Sequence, residues 1–330
     1  MSASSPDLPR LLAPPVERGT LLVVGVLLSA IGFVPQFGGP GYESALAAGL
    51  VLPSAAAIGT ALLVSRRPAV IIDPHYCFNA LGRGVAFGAV LALLGAALAT
   101  LHGLRTGFCD APLGYELWAT GPGPGAVMGG AWGAAAGLCA CRFRRARLWS
   151  VLFGLAGPLG GIAIGFWRFY TSPMVFGFDP FVGYFAGPLY DTVVDPGVRL
   201  LSYRVGSLAS LLCAFALAWH LQQAENGRFR LIWRGRPGLV VAGLCALGLS
   251  LAVTLAGARL GHFSTTKSIE DGLGRSLSVG RCNVVYSGGV PKADAQRVAD
   301  ECVGHLPEVE AYLGARGPEP KLPLTTCASS

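Results

Sequence analysis

The sequence predicts an all-α integral membrane helix bundle of about seven transmembrane helices, followed by a small α/β tail outside the membrane. The first observation behind this prediction is composition: of 330 residues, 52% are hydrophobic and only 13% are charged, and the mean hydropathy is +0.55. Soluble domains carry about 25% charged residues. The other two observations are the spacing of the apolar stretches and the placement of arginine between them. A single soluble domain and a disordered chain are both excluded.

Seven stretches qualify as spans of a bilayer, which needs roughly 20 mostly apolar residues. They cover residues 20–37, 45–64, 84–104, 124–141, 148–167, 202–222 and 238–258, and none carries a charged residue near its middle. Arg204 lies near the start of the sixth stretch, from where we expect its long side chain to reach the membrane interface. No small-residue cleavage site follows the first stretch, so we interpret it as an uncleaved span. The predicted domains are a cytoplasmic segment 1–19, a transmembrane domain 20–258, a linker 259–280 and an external tail 281–330.

Arginine predicts the orientation of these spans. Thirteen basic residues precede the first span or lie in alternate loops after it, against four in the intervening loops. Because cytoplasmic loops carry the excess of positive charge, we predict a multi-pass protein of the cell (inner) membrane with a cytoplasmic N-terminus. The tail then lies in the periplasm or outside the cell. The formal net charge of +7 is an orientation signal, and no nucleic-acid partner is expected.

Glycines recur at every fourth position in two neighbouring spans. Small residues let helix backbones approach closely in a membrane, where hydrophobicity alone does not drive helices together. Since a four-residue spacing keeps residues on one helix face, we predict that the two stripes pack against each other or against a near neighbour. Static packing and a sliding or dimerising surface are both consistent with them. The stripes are Gly125, Gly129, Gly133 and Gly137 in the fourth span, and Gly157, Gly161 and Gly165 in the fifth.

The external loop 168–201 concentrates aromatic and acidic residues, and its prolines and glycines exclude one continuous helix. Two interpretations stay open. The loop is either an interfacial or re-entrant segment with aromatic rings at headgroup level, or a binding surface with aromatic walls and a few polar groups. The candidate binding residues are Phe178, Asp179, Phe181, Tyr184, Tyr190, Asp191 and Arg199.

The tail has a soluble balance of eight basic and eight acidic residues over 259–330. Its pattern predicts a strand at 282–287, a helix that opens at Pro291, and a second strand at 321–327. Pro307 predicts two helices or one kinked helix. In an oxidising compartment Cys282 and Cys302 are candidates for a disulfide; alternatively Cys302 packs as a small apolar residue.

The tail resembles the opening strand–helix–strand segment of a peptidase MA-like (gluzincin) domain. The matching residues are Asn283–Tyr286, the helix that ends in Tyr312, Leu313 and Gly314, and the strand after Pro320. The resemblance implies a membrane-anchored metallopeptidase. However, the sequence contains no H-E-x-x-H motif, so it carries over no zinc ligand and no catalytic glutamate.

The function predicted first is that of an anchor or interaction scaffold that presents the loop 168–201 and the tail to another membrane or periplasmic protein. A truncated or split membrane-anchored metallopeptidase is the alternative. A transporter or channel subunit for an uncharged or zwitterionic solute is a further one, disfavoured because no ionisable residue lies mid-span. No catalytic residue, metal site or cofactor is predicted. The lipid bilayer is the one firm partner, and the oligomeric state is not indicated.

Overall fold

The computed structural model describes residues 15–66, 75–108, 110–173, 176–186, 197–223, 228–314 and 322–325. The protein is mostly helical, with three small sheets. The helices are α1 (Pro15–Ile31), α2 (Tyr42–Ser65), α3 (Tyr76–Thr106), α4 (Ala111–Thr120), α5 (Pro122–Ala140), α6 (Ala146–Thr171), α7 (Gly197–His220), α8 (Pro237–Leu255), α9 (Thr266–Leu273) and α10 (Lys292–Leu313). The strands are β1 (Phe176–Asp179), β2 (Gly183–Ala186), β3 (Leu221–Gln223), β4 (Phe229–Leu231), β5 (Arg275–Val279), β6 (Cys282–Tyr286) and β7 (Leu322–Thr325).

Among the described residues, five helices are long and apolar enough to cross a membrane: α2, α3, α6, α7 and α8. They support the prediction of a membrane protein. The remaining two predicted spans correspond to α1 and α5. Helix α1 has 17 residues, which at 1.5 Å per residue is shorter than the roughly 30 Å hydrocarbon layer. Helix α5 has 19 residues, but they are mainly glycine and alanine, and most are buried among other helices.

Helix α1 begins and ends earlier than the predicted first span. It ends at Ile31 because Pro35 restricts Val34 before it to an extended conformation. At its start, Glu17 is only 1% exposed, and its carboxylate accepts hydrogen bonds from Arg83 of α3 at 3.0 and 3.2 Å. The two-pronged ion pair fixes the first turn of α1 against α3.

Helices α2, α3 and α5 pack together through glycine and alanine. A Cβ atom on Gly129, Gly133 or Gly137 of α5 would overlap the backbone of α2 at Pro53, Ala57 or Ala61, which are also spaced by four. On another face of α5, Gly130 lies equally close to Gly84 of α3. The backbones therefore touch directly, as small residues at helix interfaces allow.

Residues 263–330 belong to a second compact unit, which also takes in 170–174. Its sheet has the order β5–β6–β7, with β5 antiparallel and β7 parallel to β6. Helix α10 connects β6 to β7, so the predicted strand–helix–strand order is present. Val284, Tyr286, Ala295 and Ala299 form its small core. A disulfide joins Cys282 on β6 to Cys302 on α10.

One expectation for this unit differs from the structure, and of the two alternatives predicted at Pro307 the structure has the single helix. The segment 259–280, predicted as a linker, contains α9 and β5. Thr265 begins α9, since its hydroxyl accepts a hydrogen bond from the Ser268 amide and its own amide donates to the Ser268 hydroxyl. Helix α10 also runs unbroken through Pro307, rather than as two helices.

Candidate functional site

The hairpin of β1 and β2 occupies the middle of the predicted external loop. Asp179 ends β1, and its Oδ1 atom accepts hydrogen bonds from the backbone amides of Phe181 and Val182, both at 2.7 Å. This carboxylate fixes the turn between the strands, as Asp does in Asx turns. Gly183 then begins β2 with φ of +100°, a conformation that glycine adopts without strain.

The hairpin turn is inserted among three helices of the bundle. A Cβ atom on Gly49 of α2 would lie 2.7 Å from the Val182 carbonyl oxygen, and one on Gly125 of α5 would overlap the Phe181 carbonyl. Gly161 of α6 is similarly close to the carboxylate of Asp179. Glycine at these three positions makes room for the hairpin, which is consequently a packed part of the bundle.

Arg204 of α7 connects the hairpin to the corner between α4 and α5. Its Nη1 atom donates to the Pro180 carbonyl at 2.8 Å, its Nη2 atom donates to the Gly121 carbonyl at 2.8 Å, and its Nε atom donates to the Thr120 carbonyl. Thr120 and Gly121 lie at the C-terminus of α4, where helix carbonyls lack helical partners and the helix dipole favours a cation. The side chain is 7% exposed. We call this arrangement the Arg204 clamp.

The sequence predicts that Arg204 extends along the start of a span to reach the membrane interface, and this prediction is wrong. Its charge is buried and satisfied inside the protein by three carbonyl oxygens. Helix α4, which supplies two of them, was not predicted. Asp110 begins α4 by accepting a hydrogen bond from the Leu113 amide.

Asp179 and Arg204 are two buried ionisable groups that influence each other electrostatically. Asp179 is 2% exposed. Burial raises the pKa of its carboxyl above the ordinary value of 3.8, while the two backbone amides and the charge of Arg204 oppose that rise. Because the burial effect is the larger, the site favours a neutral carboxyl more than water does.

An aromatic cluster lies beside this pair. Phe178 stacks on Tyr203 of α7 at a centroid distance of 5.5 Å, and His262 meets both rings edge-on at 5.7 and 5.4 Å. His262 Nε2 lies 2.8 Å from the hydroxyl oxygen of Ser202. Burial lowers the pKa of His262, opposed by a hydrogen bond to the Arg199 backbone. The imidazole is therefore held in its neutral form near pH 7.

The described members of the predicted binding loop cluster here, yet most face inward. Phe178, Asp179 and Phe181 are buried, whereas Tyr184 is half-buried and packs edge-on against Tyr42. The three buried side chains therefore pack inside the protein and are not part of an exposed surface.

Two further binding-loop residues, Tyr190 and Asp191, lie outside the described residues. Arg199, in the first turn of α7, lies with its aliphatic stem against Gly261.

The two glycine stripes do not face each other. The α5 stripe packs on α2 and, at Gly125, on the hairpin. On α6, Gly157 faces the indole of Trp132, and Gly165 faces the ring of Phe185. Glycine at the α6 positions therefore makes room for two large aromatic rings and for the hairpin.

A cavity of about 820 Å³ lies between α3, α4, α5 and α7. Its walls are almost wholly apolar, and Arg204 is the one charged residue among them. Arg204 therefore both donates a hydrogen bond to the hairpin and lines this cavity. A volume of about 300–1,000 Å³ is typical of ligand pockets.

Across the described part of the chain, no group of three His, Cys, Asp or Glu side chains is placed to hold a metal ion.

Comparisons with protein-family models, with curated proteins and with solved structures found no match to this chain.

Proposed function

We propose that the protein is a multi-pass membrane anchor that holds a disulfide-closed C-terminal unit on the outer side of the membrane, with its own N-terminus in the cytoplasm. The observation that carries this proposal is the position of the disulfide. It joins Cys282 and Cys302 in the C-terminal unit, whereas Cys139, Cys213 and Cys245 of the bundle are thiols. Disulfides persist in oxidising compartments and are rare in the cytoplasm.

The arginine distribution supports the same sidedness independently. The short turn between α5 and α6 contains three arginines, Arg142, Arg144 and Arg145, which are all exposed, and Arg147 follows in the first turn of α6. The segment between α7 and α8 contains four more. Such turns stay on the cytoplasmic side. Because α8 follows the second of these segments and crosses the membrane once in this proposal, the chain after α8 lies on the outer side.

In this proposal the hairpin is a fixed element on the outer face of the helix bundle. The hydrogen bond from Arg204 to the Pro180 carbonyl and the close packing on Gly49, Gly125 and Gly161 hold it within the helix ends. It therefore shapes the surface around the start of α7, while the C-terminal unit is the part presented to a partner.

Protease protection tests the anchor proposal. Protein tagged at both termini would be expressed, and a soluble protease would be added to intact spheroplasts and to lysed ones. We expect loss of the C-terminal tag and survival of the N-terminal tag in intact spheroplasts. If the C-terminal tag survives until lysis, the proposed orientation is wrong.

A second candidate function follows from the order β6–α10–β7. We propose it as the opening segment of a peptidase MA-like domain, since β6 and β7 are parallel and joined by a helix that ends at Gly314. The genomic DNA downstream of codon 330 tests it. An H-E-x-x-H motif encoded there in a continuing or shifted frame would support it, and noncoding sequence would end it.

A further inference from the structure

The cavity beside the Arg204 clamp is too large and too apolar to stay empty or to hold water. Its walls include Ala92 and Leu93 of α3, Val127 of α5, and Leu208 of α7. Wall atoms around an empty space lose dispersion contacts. Water needs two to four polar partners. Its few polar neighbours already have partners: Ser207 bonds the Tyr203 carbonyl, and Tyr115 lies 3.0 Å from the Thr100 hydroxyl.

The mouth of the cavity opens on a surface that faces lipid. Leu93 is 72% exposed and Leu208 is 57% exposed. Both lie on helices that are long and apolar enough to cross a membrane, α3 and α7. In a bilayer these side chains contact hydrocarbon, so lipid chains are available at the mouth at high concentration.

The charged wall of the cavity lies at one end of these helices. Arg204 is the eighth residue of α7, and its carbonyl partners are at the corner of α4 and α5. Within the described part of the chain, those carbonyls account for three of the five N–H groups of the guanidinium, and the other two are the groups that we assign to an external acceptor. An occupant with an apolar body and oxygen acceptors at one end suits this wall.

We propose that the cavity binds one acyl chain of a membrane phospholipid from the leaflet on the hairpin side, with the ester and phosphate oxygens of that lipid beside Arg204. The chain fills the apolar space, and the guanidinium, held in place by the Arg204 clamp, orients the head. The bound lipid then completes the packing between α3 and α7.

Native mass spectrometry tests this proposal. The protein would be reconstituted in vesicles of phosphatidylethanolamine and phosphatidylglycerol, then purified in detergent and measured. The matched pair of variants is Ala92→Trp and Ala97→Trp on α3. Ala92 lines the cavity, whereas Ala97 is exposed and does not line it. We expect wild type and Ala97→Trp to retain one phospholipid per chain and Ala92→Trp to lose it.

A second pair guards against a folding defect at Ala92. Leu208 lines the cavity and Leu212 does not, and both are exposed residues of α7. Leu208→Trp should lose the lipid and Leu212→Trp should keep it, with unchanged elution of both from a size-exclusion column. Equal lipid retention by all folded variants would overturn the proposal. The proposal would also be overturned if Leu208→Trp dissociated an oligomer without changing the amount of bound lipid. That result would mean that a second copy of the chain covers the cavity.

Discussion

Arg204 donates a hydrogen bond of 2.8 Å to the carbonyl oxygen of Pro180, which ties helix α7 to the turn of the hairpin. The same guanidinium holds the end of α4 through Thr120 and Gly121. Three segments that are far apart in the sequence therefore depend on one side chain.

Arg204→Lys should destabilise the bundle. A lysine keeps the charge, but its ammonium is a point donor that does not reproduce the planar fork of three directed hydrogen bonds. Leaving buried carbonyls unsatisfied beside Asp179 should cost about 3 kcal/mol. Thermal unfolding in detergent measures the loss. Arg144→Lys, in the exposed turn before α6, is the control and should unfold like wild type. Equal stability of both variants would contradict the clamp.

Asp179→Ala and Asp179→Asn should differ. Alanine removes the acceptor of the Phe181 and Val182 amides and should cost about 1–3 kcal/mol. Asparagine retains an acceptor oxygen and mimics the neutral carboxyl that burial favours, so at low pH, where the carboxyl is protonated, it should be close to wild type. A matching loss of stability in both variants would show that the charge, and not the turn, is what the site requires.

The pH dependence of unfolding reports on the same carboxyl. Its pKa is raised in the folded protein by burial, so its contribution to stability is fullest below 3.8 and is lost as pH rises through the folded-state pKa. Relative to Asp179→Asn, wild type should therefore lose stability as pH increases from about 4 towards 7. The difference between the two unfolding curves isolates this group. A difference that moves the other way would mean that Arg204 outweighs burial.

Gly129→Ala should weaken the packing of α5 on α2. The added Cβ would overlap the backbone at Pro53, and forcing the helices apart should cost about 1–3 kcal/mol. Gly160→Ala on α6 is the control, since nothing lies within 4 Å of its added Cβ. That variant should unfold like wild type or gain up to about 1 kcal/mol from helix propensity. Unfolding in detergent distinguishes the two.

Cys302→Ser should destabilise the C-terminal unit selectively. Its disulfide closes a loop over a sequence separation of 20 residues, which corresponds to about 3 kcal/mol. Limited proteolysis should cleave the variant in α9 and α10 faster than wild type while the bundle persists. Cys245→Ser, an exposed thiol on α8, should leave the cleavage rate unchanged. Reducing agent should bring wild type to the rate of Cys302→Ser.

The helices could be located from the sequence because apolar runs are local. Five of the seven predicted spans correspond to helices fit to cross a membrane, and the tail has its predicted strands and helix. The stripe at Gly129 and Gly133 was visible as a pattern, but its partner on α2 was not. Pro53 and Ala57 have unremarkable neighbours in the sequence, and only the fold brings them opposite those glycines.

The candidate site was less predictable, because its chemistry depends on contacts between distant segments. Arg204 looked like an interfacial residue, since snorkelling is the usual fate of arginine at the start of a span. It is buried instead because the end of α4, about 84 residues earlier in the sequence, supplies carbonyl oxygens that accept its hydrogen bonds. Asp110, whose cap begins α4, was the signal that could have pointed to that helix. The aromatic residues of the loop indicated a cluster, but not that its rings pack inward on Tyr203 and His262.

The central claim is that the C-terminal unit and the α5–α6 turn lie on opposite sides of the membrane. Glu308→Cys on α10 and Arg144→Cys in that turn place thiols at exposed positions. Each would be made in a background without other accessible thiols and treated with a membrane-impermeant maleimide on intact spheroplasts. The account predicts labelling of the Glu308→Cys protein in intact spheroplasts and of the Arg144→Cys protein only after lysis. Labelling of the Arg144→Cys protein alone in intact spheroplasts would contradict it.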